Sequence, residues 1–91
     1  MTTRTITLWG AQLDRVGLPG SIQVRGDVTR SLERRTGLTI CGGPRDEGVS
    51  LSRGRPTSHH YACTLGRPAR GGGYTPLAEV WWAEPIEEEE G

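Results

Sequence analysis

The 91-residue chain contains no Lys, no Asn and no Phe, one Met and two Tyr, and aromatic residues make up only 5% of it. All eleven basic side chains are Arg. The scarce residue types share AT-rich codons, and the abundant Arg, Gly, Pro and Ala share GC-rich ones. That points to a GC-rich genome, bacterial or of a phage or plasmid. In such a genome Arg-Gly-Pro strings arise without selection for binding, which lowers the weight of any short Arg/Gly motif. No run approaches eighteen apolar residues, so no helix long enough to span a bilayer is expected. The opening Met1–Ile6 lacks the apolar core of a signal peptide. A cytoplasmic protein is therefore expected, with the two cysteines, Cys41 and Cys63, as reduced thiols. The length leaves no room for a multidomain enzyme or a large Rossmann or barrel fold. Fourteen Gly and six Pro follow no collagen period.

Several chemical signatures are missing as well. No C-x2-C knuckle is present, although Cys41, His59, His60 and Cys63 are the residue types of a zinc site. Their other reading is two small buried hydrophobes and two histidines at a loop edge. A Cys–His nucleophilic pair would need Cys41 and His59 or His60 on neighbouring strands. There is no nucleophile elbow, and no Gly-rich loop opens a helix. No paired carboxylates lie in a folded segment. The expectation is a protein without catalytic residues, metal or cofactor, and not an enzyme.

Charge is present but unevenly placed. Residues 1–78 hold all eleven Arg and five acids (Asp14, Asp27, Glu33, Asp46, Glu47), a balance of +6. Residues 79–91 hold six Glu and no base, a balance of −6. Apolar residues recur at period two, the mark of half-buried strands. The runs are Ile6/Leu8, Ile22/Val24, Leu38/Ile40, Val49/Leu51, Tyr61/Cys63/Leu65 and Val80/Trp82. Turn-forming stretches separate them, among them Gly17–Gly20, Cys41–Pro44, Gly54–Pro56 and Arg70–Gly73. Gly66–Pro76 reads as a long flexible hairpin connection. Asp27–Gly37 breaks the pattern and reads as a helix of about two turns. Asp27 is placed to cap it, Val28 and Leu32 share one face, and Gly37 suits its end. The fold class expected is α+β: a small, mostly antiparallel sheet of five to six short strands with one short α-helix packed on it. One domain, 1–86, should be followed by a disordered acidic tail, 87–91, since four consecutive Glu repel one another and bury nothing.

Five features invite binding. Arg30, Arg34 and Arg35 line the outer side of the helix, and Arg25 precedes it, so these four could form a basic patch. Neutralisation by Glu33 and by the tail is the competing reading. Trp81 and Trp82 are adjacent, so on a strand they face opposite ways. One enters the core and the other becomes an interface anchor, or is covered by a loop or the helix. Trp9 raises the same question, because Ile6 and Leu8 claim the inner face. Ser52-Arg53-Gly54-Arg55-Pro56 resembles the core of an AT-hook, which places extended Arg in the minor groove, though Ser52 replaces its first proline. Gly66–Gly72, with Arg67 and Arg70, resembles Arg-Gly-rich RNA-binding tracts. The acidic run Glu87, Glu88, Glu89 and Glu90 could solubilise, cover the basic body in cis, or mimic phosphates toward a partner.

The whole profile (short, cytosolic, α+β, without catalytic motifs) is similar to that of small phage-encoded inhibitors of host defence, such as anti-CRISPR proteins. The likeness is one of type: no motif aligns, so no residue inherits a role from it. It implies a small non-enzymatic inhibitor that works by protein–protein contact. The expected partner is a nucleic-acid-handling complex of a bacterial host, blocked sterically or by charge mimicry. Trp81, Arg30, Arg34, Arg35 and Glu87–Glu90 are the contact residues expected. The alternative is a small DNA- or RNA-binding module using Arg25, Arg53, Arg55, Arg67 and Arg70, autoinhibited by the tail. Self-association is compatible with the thin apolar core; contact with a membrane is not expected.

Overall fold

Alternation along Arg4–Trp9 and Ser21–Val24 produces two short strands, β1 and β2, that bury Ile6, Leu8, Ile22 and Val24 on one side. The computed structural model describes residues 3–86. A 3-10 turn at Leu13–Val16 joins these two strands. Helix α1 (Val28–Thr36) follows, then β3 (Thr39–Ser52), β4 (Arg55–Pro68) and β5 (Tyr74–Pro85). The five strands form one antiparallel sheet in the order β2-β1-β5-β4-β3. The molecule is α+β and strand-dominated.

The helix forms where its capping residues dictate. Asp27 accepts from the Thr29 amide at 3.0 Å, satisfying one of the unpaired first-turn donors. Gly37, at φ 71°, closes the last turn by donating to the Glu33 carbonyl at 2.8 Å. Val28 and Leu32 are the buried face of α1. The helix runs from β2 at one sheet edge to β3 at the other, and so crosses the sheet on a single side. That side carries Ile6, Leu8, Ile22, Val24, Cys63, Leu65, Val80 and Trp82, which with Leu13, Leu18, Val28 and Leu32 make up the core. Full burial of a residue such as Leu32 is worth about 1.5–3 kcal/mol. Glu33 pins the helix end to the sheet: its carboxylate accepts from the Ile40 amide at 3.0 Å.

Three expectations need correction. The runs at 38–40 and 49–52 belong to one strand, so the sheet has five strands, and three of them are long rather than short. Cys41-Gly42-Gly43-Pro44 does not end the strand. The chain absorbs these residues as irregularities in register, at Ile40/Gly42 and Gly42/Arg45, while pairing with β4 continues. The Gly66–Pro76 connection is short: β4 runs to Pro68, β5 starts at Tyr74, and the turn is closed by Ala69 donating to Gly73 at 3.0 Å. The acidic tail, 87–91, lies outside the described residues. Among the described residues no helix is long and apolar enough to cross a membrane.

Candidate protein-docking face

Among the described residues, the face of the sheet opposite α1 has no second layer. Strand alternation decides what it carries. Val80 and Trp82 point to the helix, so Trp81 points away from it. Ile6 and Leu8 do the same to Trp9, which pairs with Trp81 across β1 and β5. The two indoles thus occupy the open face together. Trp9 is 38% exposed, and Trp81 is half-buried. The Trp81 ring lies against Gly10. A side chain at that position would meet the Glu79 carbonyl at 2.6 Å and the indole at 3.4 Å, and its φ of 150° also favours Gly.

Trp9 is fixed from the other side. Its ring packs edge-on against His60 at 5.4 Å between centroids. His60 pairs with Ala83 on the intervening strand, and the small Ala83 side chain leaves room for this contact over β5. His60 Nε2 shares a 2.6 Å hydrogen bond with Ser50 Oγ, so Trp9, His60 and Ser50 form a row across four strands. On the other flank, Arg45 sits opposite Ala62 and reaches Glu79 at 3.3 Å and Glu47 at 3.4 Å. Ala62, its cross-strand partner, is fully buried. A recess of about 180 Å³, lined by Gln12, Arg15, Thr64, Leu77 and Glu79 among others, continues the surface beyond Trp81.

A second hollow, about 400 Å³, opens on the helix side around Arg4, His59, Tyr61, Glu84 and Ile86. Its floor is an aromatic run in which His59 stacks on Tyr61 at 5.9 Å and Tyr61 tilts against Trp82 at 5.7 Å. Arg4 and Glu84 pair across its rim at 2.6 Å.

The expected contact residues are not brought together. Trp81 faces away from the helix, whereas Arg30, Arg34 and Arg35 are exposed on α1, so no single flat interface holds them all. Arg25, Arg30, Arg34 and Arg35 are exposed and form no ion pair among the described residues. Glu33 forms no ion pair with them among the described residues; its carboxylate accepts from the Ile40 amide. Glu87–Glu90 lie outside the described residues. The nucleic-acid set is split as well. Arg53 and Arg55 flank one end of β4, while Arg67 and Arg70 stand at the other, about 40 Å away for a strand of this length. The AT-hook-like string is not extended. Arg53 and Gly54 take φ values of 53° and 78° in a two-residue turn, and Ser52 pairs with Arg55.

The cysteine–histidine readings fail on geometry. His59 and His60 are neighbours on β4 and project to opposite faces. Cys63 is fully buried on the helix side. Cys41 lies against Gly66, about 20 Å along the strand from His60. Among the described residues no three His, Cys, Asp or Glu are grouped to hold a metal.

Sequence reasoning raised Trp9 but did not choose it, and it missed His60 and Ser50 as its supports. The signal for Trp9 was its phase, out of step with Ile6 and Leu8. The His60–Ser50 bond crosses a hairpin whose register only the fold supplies. No protein-family model, curated protein or solved structure matches the chain.

Proposed function

We propose that the protein is a non-enzymatic binding protein that docks a protein partner on the uncovered sheet face, with Trp9 as its anchor and Trp81 as the packed floor beside it. The observation that carries this reading is Trp9 itself. It is a large aromatic side chain packed against His60, 38% exposed, on a face that no other described element covers. A pre-positioned aromatic gives up little conformational freedom on binding, and Trp is enriched among interface hot spots. The face favours protein over nucleic acid because Arg45 is already paired with Glu47 and Glu79, leaving little charge to displace phosphate counterions. The partner proposed is a nucleic-acid-handling complex of a bacterial host, with the C-terminal Glu run as an electrostatic aid to blocking it.

The test is quantitative binding to the purified partner recovered from a host extract. Trp9→Ala should weaken affinity by about 2 kcal/mol or more. Arg34→Ala, on the opposite side of the molecule, should leave affinity unchanged. Unaltered affinity in a folded Trp9→Ala variant, or a larger loss from Arg34→Ala, overturns the reading.

A further inference from the structure

The β3–β4 hairpin carries the sheet past the half that α1 covers. β5 accompanies it as far as Pro85, which pairs with Ser58, and the Ile86 amide donates to the Thr57 carbonyl at 3.0 Å. Beyond that point, among the described residues, only 51–56 continue, and all six are exposed. Three properties coincide there. The tip is basic, carrying Arg53 and Arg55, and the sequence contains no acid from Gly48 to Ala78. It is apolar beside the charge, with Leu51 at 66% exposure paired to Pro56, and Val49 at 43% just behind. It is also narrow, a two-stranded ribbon closed by a two-residue turn with positive φ at both positions.

We propose that this tip is a binding site for duplex DNA, entering the major groove end-on. A two-stranded ribbon fits that groove, which is about 12 Å wide. Paired strands lie about 5 Å apart, leaving space for a side chain on either flank. Arg53 and Arg55 meet phosphates or the acceptor edge of guanine, and Leu51 and Pro56 meet thymine methyl groups. None of these residues belongs to the Trp9 face, so the site stands or falls independently of the proposed protein contact.

The experiment uses the full chain and a short fluorescein-labelled duplex of mixed sequence, read by anisotropy across a salt series. Two cationic contacts predict a log–log salt slope of about −2, hence roughly a tenfold loss of affinity from about 50 to about 200 mM salt. Arg53→Asn is the decisive variant. Asn-Gly is a preferred pair for this turn, so the hairpin persists while one charge is lost. The slope should fall to about −1. Leu51→Thr should weaken binding without changing the slope. A single strand of the same length should bind less well than the duplex. Absence of duplex binding at low salt, or an unchanged slope in Arg53→Asn, overturns the proposal and leaves the tip to a protein partner. Equal binding of the single strand overturns it too, because nothing then reads a groove.

Discussion

Cys63 lies on β4 with its side chain fully buried in the core. Burial pushes its thiol up from the ordinary 9.0 to about 12; nearby Arg45 opposes the rise, and Cys41 and Glu33 add to it. The thiolate is the reactive form, so Cys63 should be inert in the folded protein. Ellman's reagent at pH 8 should label the half-exposed Cys41 alone, and both thiols after denaturation. Rapid labelling of both in the native state would contradict the packing. The same shift links stability to pH. Above pH 9 the unfolded chain releases this proton, while the folded chain keeps it until about pH 12. Stability contributed by the neutral buried thiol is therefore full below pH 9 and falls across that window. Denaturant midpoints measured at pH 8 and pH 10 should show the decline, and Cys63→Ala should reduce it, though at a cost in packing. Trp82 illustrates the opposite economy at this scale: its ring fills the core while its indole N–H has no partner among the described residues.

Helix α1 depends on one side chain more than its length suggests. Nine residues are too few to hold a helix alone, so it relies on packing and on its caps. Asp27 accepts from both the amide and the hydroxyl of Thr29, at 3.0 and 2.8 Å. Asp27→Ala should cost about 1 kcal/mol. In a domain of this size that lowers the thermal midpoint by about 4–8 °C, measurable by circular dichroism. The helix was legible because its start, apolar face and stop all agree locally. The strands were legible as alternation, but their lengths were not. The segment from Cys41 to Pro44 has the composition of a turn, and only the neighbouring β4 backbone makes it strand. Likewise Gly66 sits where a side chain would meet the Thr75 carbonyl at 2.5 Å and Cys41 Sγ at 2.9 Å. It is a point of close strand approach, not the beginning of a loop.

The whole molecule is elongated, 52 × 26 × 22 Å, with the helix-covered body at one end and the hairpin tip at the other. Ile86 donates its amide to the carbonyl of Thr57, two residues from Arg55, and the next four residues in the sequence are Glu. Removing their charge should therefore favour an anionic ligand there. Full-length protein with Glu87, Glu88, Glu89 and Glu90 all replaced by Gln is expected to bind duplex DNA more tightly than the parent, with the gain largest at low salt. An equal affinity at low salt would show that the tail does not compete for the tip.

The sequence alone was enough to establish the α+β class, the helix with both its caps, the period-two strands and the charge split, because each depends on residues close together in the chain. It also established that Trp81 and Trp82 part company, since a strand alternates whatever it packs against. Which tryptophan enters the core depends on which side α1 covers. That side is set by the helix crossing from β2 to β3, a long-range packing choice. The same choice leaves Trp9 outward and separates Trp81 from the helix arginines, while the length of β4 keeps Arg53, in the turn before it, far from Arg67. Those relations join residues that are not neighbours in the chain, and only the assembled sheet brings them into register or holds them apart.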